Sequence, residues 1–122
     1  MTTSLEQNVN TRSRPSELKI TDVRIANLAG IPMRVTIIRI DTNQGIYGIG
    51  EVRDAGHREN ALQFKSMLVG QNPCNVDYIF HNMKRFGSWG REGGGVSGLE
   101  LALWDLAGKA YGVPCYQFLG GK

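Results

Sequence analysis

The hydrophobic period of this chain changes once, near Gly56, and that change limits what it can fold into more than any other feature. From Leu18 to about Val52 the apolar positions are rich in β-branched residues: Ile20, Val23 and Ile25, then Val35, Ile37, Ile38 and Ile40, then Ile46, Tyr47, Ile49 and Val52. Such side chains fit a pleated, half-buried surface, so the segment predicts three strands. The run from Asp41 to Gly45 has the length of a hairpin turn and a glycine free to take positive φ. Gly30-Ile31-Pro32 supplies the turn between the first two strands, and the three strands read as an antiparallel meander.

After Gly56 the spacing becomes helical. Ala61, Phe64 and Leu68, with Leu62 alongside, trace one face of a first helix that Gly70 ends. Asn72 is placed as the N-cap of a second helix, with Pro73 at its first position and an apolar stripe of Val76, Ile79, Phe80 and Met83. Asp77 near its start and Lys84 and Arg85 near its end suit the helix dipole, and Gly87 stops it, so the two helices form a hairpin. In a third helix Ser97 and Glu100 form a capping box, Gly112 provides the C-terminal stop and Pro114 prevents continuation. Its main face is Leu99, Ala102, Leu103, Leu106 and Ala110, while Asp105 and Lys109 form an exposed i, i+4 pair. Leu101 and Trp104 add a second apolar surface, so this helix requires cover on more than one side.

Length and composition exclude several classes. At 122 residues the chain is one domain, about half the length of a (β/α)8 barrel. The net charge of +3 is spread over interleaved basic and acidic residues, with no basic stripe or aromatic platform for nucleic acid. Residues 1–17 are polar, without an apolar run for a signal peptide or a membrane span, and read as a disordered tail ahead of a domain over 18–122. Cys74 and Cys115 form neither a CxxC pair nor a metal spacing; they read as half-buried thiols in a cytoplasmic protein.

Several motifs invite chemistry and have simpler readings. Gly45-Ile46-Tyr47-Gly48-Ile49-Gly50 looks like a phosphate loop, but its glycines alternate with strand formers and serve close backbone packing better. The run from Gly93 to Gly98 precedes a helix and could cradle an anion on free amides; it lacks the P-loop lysine, and hinge and capping roles are favoured. Arg53, Asp54 and His57 share a short loop after the third strand without a partnered nucleophile, which reads as a solvated connection. His81 sits on the shoulder of the second helix, and two histidines in the whole chain do not make an all-histidine metal site. Trp89 and Arg91 flank Gly90, where an aromatic ring and a guanidinium could grip a carboxylate or sugar, or anchor a subunit contact.

The residues from Ser97 to Lys122, with Leu119-Gly120-Gly121-Lys122 at their end, and the strand ending Gly45 to Glu51, which matches a Gly-x-x-Gly-x-Gly-Glu pattern, resemble the capping domain of the mandelate racemase and muconate-lactonizing family of the enolase superfamily. The resemblance runs from about Leu18 to Lys122. It implies an α+β cap, a three-stranded antiparallel meander followed by a helical bundle, joined to a barrel whose first strand would follow Lys122. In that family the barrel carries the base that removes the proton α to a carboxylate and the acids that hold Mg2+, so no catalytic or metal-binding residue is expected in this chain, nor turnover by this chain alone.

What the resemblance assigns to a cap is closure over substrate and selection among substrates. The turn from Asn27 to Pro32 and the loop from Arg53 to His57 are the segments it brings nearest the substrate, so Arg53 and His57 lead the contact candidates, followed by Asp54, Trp89 and Arg91. The partner expected is a small carboxylate or sugar acid, with no nucleic acid and no membrane, in a homo-oligomer. Dehydration of a sugar acid is the first reading of the reaction, a lyase activity. A racemase, epimerase or cycloisomerase of the same family, an isomerase activity, is one alternative. A non-catalytic binding or oligomerisation module is the other.

Overall fold

Three strands form one antiparallel sheet in sequence order: β1 (Ile20–Asn27), β2 (Thr36–Thr42) and β3 (Tyr47–Val52). The computed structural model describes residues 13–52, 60–86 and 94–121. Register pairs Val23 with Ile40 and Ile40 with Gly48, then Ile25 with Ile38 and Ile38 with Gly50. Side chains alternate across a sheet, so Ile38, Ile40, Gly48, Gly50 and Val52 turn toward the helices while Arg39, Tyr47 and Ile49 turn away. A register shift between Ile20 and Asp22 re-aims the start of β1, which lets Ile20 and Val23, three residues apart, both be buried.

Helices cover one face of this sheet, as the change of period requires: α1 (Asn60–Gln63), α2 (Lys65–Leu68), α3 (Val76–Phe86), α4 (Gly94–Tyr111) and α5 (Cys115–Phe118). The α+β class expected from the resemblance is therefore the observed one. The core is continuous, with Ile38, Ile40, Leu68, Met83, Leu99, Leu103 and Leu106 all fully buried.

The first expected helix is broken into α1 and α2 at Phe64, whose N–H reaches back three residues to the carbonyl of Ala61 at 3.4 Å. Ala61, Phe64 and Leu68 are nevertheless the buried set, and Leu62 is exposed. After α2 the chain joins the sheet: Gly70 N–H donates to the Ile20 carbonyl at 2.8 Å and Ile20 N–H to the Gln71 carbonyl at 2.9 Å. Gly70 can do so because it takes φ +87°, as Gly45 takes +80° in the hairpin turn.

The second helix begins at Val76, three residues later than Asn72 and Pro73 suggest. Asn72 caps a turn instead: its Oδ1 accepts the Cys74 N–H at 2.9 Å and its Nδ2 donates to the Pro15 carbonyl at 2.8 Å. Gly87, the expected stop, lies outside the described residues.

The third helix starts earlier than expected. Gly94 already belongs to α4, so Ser97 sits inside the helix and is exposed, and the Ser97–Glu100 capping box does not mark its start. Glu100 instead accepts from Trp104 Nε1 at 3.3 Å. Every residue of the expected main face is fully buried. Beyond Pro114 the chain makes one further turn, α5, which brings Phe118 beside Trp104 with ring centroids 6.2 Å apart.

Of the expected disordered tail over 1–17, residues 13–17 are described, and they are structured. Pro15–Glu17 forms a 3-10 turn with Pro15 buried. Side-chain amides of the hairpin turn hold it: Gln44 Oε1 accepts the Arg14 N–H at 2.7 Å, Gln44 Nε2 donates to the Arg14 carbonyl at 2.9 Å, and Asn43 bonds Lys19 N–H and the Glu17 carbonyl at 2.9 and 3.1 Å. These partners lie about thirty residues downstream, so the composition of the segment alone does not announce them. Residues 1–12 lie outside the described residues.

Candidate functional site

Helix α4 meets strand β3 almost backbone to backbone. A Cβ at Gly48 would stand 2.1 Å from the Ala102 carbonyl oxygen, and one at Gly50 would stand 2.0 Å from that of Gly98. On the helix side, a Cβ at Gly98 would come within 2.8 Å of Ile38 Cδ1 and Val52 Cγ2. The strand glycines thus have the packing role expected of them. Gly94, Gly95 and Gly98 belong to the helix, with Gly95 and Gly98 buried, so the expected hinge and capping roles of that run yield to packing as well.

This seating fixes one end of the sheet. Asn27, Thr36 and Val52 lie in a single row of the register, closed by a 2.8 Å bond from Thr36 Oγ1 to Asn27 Oδ1. The turn that starts at Asn27 leaves the sheet from this row, and so does the chain that continues from Val52 into Arg53. Gly98 packs against Val52, and α4 begins one turn earlier, so the first turn of the helix stands at the same end. Arg53, Asp54, His57, Trp89 and Arg91 themselves lie outside the described residues. The described part of this end carries exposed apolar side chains, Leu28, Ile31 and Met33.

The opposite end of the outer sheet face is an ion-pair cluster. Asp41 accepts from Arg24 Nε at 2.7 Å and Nη2 at 3.1 Å and from Arg39 Nε at 2.7 Å, and the Arg39 guanidinium lies 3.8 Å over the Tyr47 ring. Desolvation pushes the Asp41 carboxyl upward, but the two guanidinium bonds outweigh it and hold the group below the usual carboxylate range. Asp22 is lowered as well, chiefly by its hydrogen bond from Lys65 Nζ at 2.5 Å. With the acid and its bases satisfying one another, this cluster serves the fold and not a reaction.

The remaining candidates are structural. His81 is exposed, its Nδ1 2.7 Å from the Asp77 carbonyl oxygen one turn earlier. Cys74 and Cys115 are free thiols; burial pushes Cys74 up to about 11, and Cys115 Sγ donates to the Trp104 carbonyl at 3.2 Å. Among the described residues no three His, Cys, Asp or Glu side chains gather into a metal-binding group. No helix among them is long and apolar enough to cross a membrane.

The sequence pair that proved more than a solvated pair is Asp105 and Lys109. Asp105 Oδ2 accepts the Ile49 N–H at 2.8 Å and Lys109 Nζ donates to the Tyr47 carbonyl at 2.8 Å, while the two ions meet at 2.7 Å. Their i, i+4 spacing was the visible signal. Which strand they reach was not.

The sequence matches a known family model, the mandelate racemase / muconate lactonizing enzyme N-terminal domain, over residues 2–120. The chain belongs to that family. Among relatives, this N-terminal domain is 37% identical over 100 residues to a D-galactonate dehydratase of Verminephrobacter eiseniae, covering 75% of the chain and 26% of the relative. It is 34% identical over 119 residues to a D-xylonate dehydratase of Haloferax volcanii, covering 93% and 29%. Among solved structures it resembles an enolase from Pantoea ananatis with bound D-gluconate and Mg, with TM-score 0.73 and 31% identity over 87% of the chain and 28% of that protein. The N-terminal domain therefore spans less than a third of the length of the proteins it matches.

Proposed function

We propose that this chain is the substrate-capping and specificity domain of a Mg2+-dependent enzyme that removes the proton α to a carboxylate, and that the enzyme is a sugar-acid dehydratase. The observation that carries the reading is the convergence at one end of the sheet. Asn27, Val52 and the first turn of α4 share that end, and the candidates Arg53, Asp54, His57, Trp89 and Arg91 follow Val52 or precede α4 in the sequence, which supports the reading. A cap working from such an end excludes water from the reacting centre and adds contacts to the substrate's distal groups. The names of the relatives, D-galactonate and D-xylonate dehydratase, favour dehydration of a sugar acid.

In this reading the base, the Mg2+ ligands and the ion itself belong to a barrel outside this sequence, and no turnover is expected from the 122 residues alone with added Mg2+. Arg53 would hold a substrate carboxylate or hydroxyl, with His57, Asp54, Trp89 and Arg91 completing the rim. The free thiols suit a cytoplasmic enzyme. The exposed Leu101, Phe118 and Leu119 provide apolar surface for the barrel or for a homo-oligomeric contact. The family description also covers racemisation and lactonisation, and product analysis separates these from dehydration.

The test uses the full-length enzyme with its natural downstream sequence. Arg53→Ala and His57→Ala are expected to lower kcat/KM for the acid substrate about five- to a hundredfold, or roughly 1 to 3 kcal/mol, with Mg2+ affinity and folding unchanged. Ordinary surface positions move by no more than about 0.5 kcal/mol. Unchanged kcat/KM in both variants removes the loop from the substrate site.

A further inference from the structure

Thr36 is the one buried polar side chain among the described residues, and its hydroxyl donates to Asn27 Oδ1 at 2.8 Å. A buried hydroxyl without a partner costs stability, so this bond accounts for one half of the Asn27 amide. The fold makes no use of the other half. Asn27 is exposed, and among the described residues its Nδ2 donates to none. The pair also closes the neck of the turn that follows. Asn27 and Thr36 stand opposite one another in the register, and just beyond them the Leu28 N–H donates to the Val35 carbonyl at 2.9 Å. From Leu28 to Met33 the turn has no side chain that donates a hydrogen bond, and Leu28, Ile31 and Met33 expose apolar surface. Asn27 is thus the only side-chain donor between Ala26 and Arg34, and its amide is held in one orientation.

We propose that Asn27 is a specificity-determining residue that presents its amide N–H groups to a hydroxyl or carboxylate oxygen of the sugar acid, and that Thr36 is its positioning residue. The inference rests on the reading of this end of the sheet as the substrate side of a cap. The last torsion of an asparagine is soft, so a free amide exchanges its oxygen and nitrogen ends readily. A hydroxyl donating from one side removes that freedom: it takes Oδ1 and leaves Nδ2 on the side away from Thr36. An apolar turn can cover the carbon chain of a sugar acid but does not tell one hydroxyl configuration from another. A fixed donor does, because a site built to hydrogen-bond an oxygen rejects a ligand that leaves it unpaired. Aspartate at position 27 would satisfy Thr36 equally well and would offer no donor, which separates the structural half of the amide from the recognition half.

Steady-state kinetics on the full-length enzyme, with D-galactonate, D-gluconate and D-xylonate as probes, test the inference; the acid turned over fastest is the reference. Asn27→Asp keeps the acceptor for Thr36 and removes both donors, and Asn27→Ala removes the amide without adding charge. Each is expected to lower kcat/KM on the reference acid about tenfold or more, chiefly through KM, and to narrow its lead over the other two, with Mg2+ affinity unchanged. Thr36→Val, of the same shape without the hydroxyl, is expected to lose part of this, and Thr36→Ser to retain native values. Added to Asn27→Ala, Thr36→Val should lower kcat/KM no further, because Thr36 acts through Asn27. If Asn27→Ala loses its fold by circular dichroism, Asn27→Asp carries the same comparison. Native kinetics in a folded Asn27→Asp, with kcat/KM lowered by Arg53→Ala, overturns the role of Asn27 and leaves the cap reading standing. Native kinetics in both variants, or turnover of none of the three acids, overturns that reading and this inference with it. An additive loss in the double variant shows Thr36 to be structural only and overturns its positioning role.

Discussion

Gly50 faces Gly98 so closely that a Cβ on Gly50 would lie 2.0 Å from the Gly98 carbonyl oxygen. Two glycines in β3 and small residues at 98 and 102 of α4 let a helix and a strand approach along their backbones. That approach sets where α4 begins over the sheet, at the end that carries Asn27, Thr36 and Val52.

Gly50→Ala and Gly48→Ala are accordingly expected to destabilise the fold by about 3 kcal/mol or more each, because the obstructing atoms are backbone carbonyls that cannot swing aside. Denaturant unfolding measures this directly. A cost below about 1 kcal/mol would show that α4 slides on β3.

Acid should weaken the outer sheet face first. Asp22 and Asp41 both have carboxyl pKa values lowered below 3.8 in the folded chain, Asp22 first by its Lys65 bond and Asp41 by guanidinium bonds that overcome its desolvation. A lowered folded pKa means that the stabilisation is complete above the unfolded value and is lost as pH falls through the folded ones. Stability is therefore expected to be flat through neutral pH and to fall below about pH 4, with Asp41→Asn removing part of that dependence. Thermal unfolding between pH 2 and 7 gives the comparison.

The segment from Ser13 to Lys19 should depend on two hairpin amides. Asn43→Ala is expected to cost about 1 to 2 kcal/mol and to raise amide exchange at Lys19, whose N–H it accepts at 2.9 Å. Gln44→Ala should act at Arg14 in the same way. Exchange at Lys19 and Arg14 unchanged in these variants would detach the segment from the turn.

Cys74 should resist alkylation. Burial raises its thiol to about 11, so near pH 8 little thiolate is present to react. Mass spectrometry of native protein treated with iodoacetamide at pH 8 is expected to show Cys74 modified far more slowly than in the unfolded chain. Equal rates would show that its burial is transient.

The order of strands, the antiparallel meander and the buried face of α4 could all be read from the chain, because each depends on local periodicity and on turn residues that act within a few positions. Ile38 and Ile40, or Leu99, Leu103 and Leu106, announce their face by spacing alone. Helix starts were less legible. Asn72 and Ser97 are good caps by type, yet Asn72 holds a turn, and Ser97 lies inside α4 beside Gly98, which packs on the sheet. Small residues at Gly94, Gly98 and Ala102, four apart, are the helical signal that a glycine-run reading obscures.

The sequence by itself determined the elements, their faces and the family to which they belong, since these rest on backbone propensity and on which side chains leave water. Tertiary structure alone decided that Asp105 and Lys109 reach the edge of β3, that Asn43 and Gln44 tie down the residues before β1, and that Asn27, Val52 and the start of α4 share one end of the sheet. Those relationships join groups about twenty-five to sixty residues apart, and a hydrogen bond between distant groups has no period along the chain. It exists only once the core has brought the helix down onto the glycines of the strand.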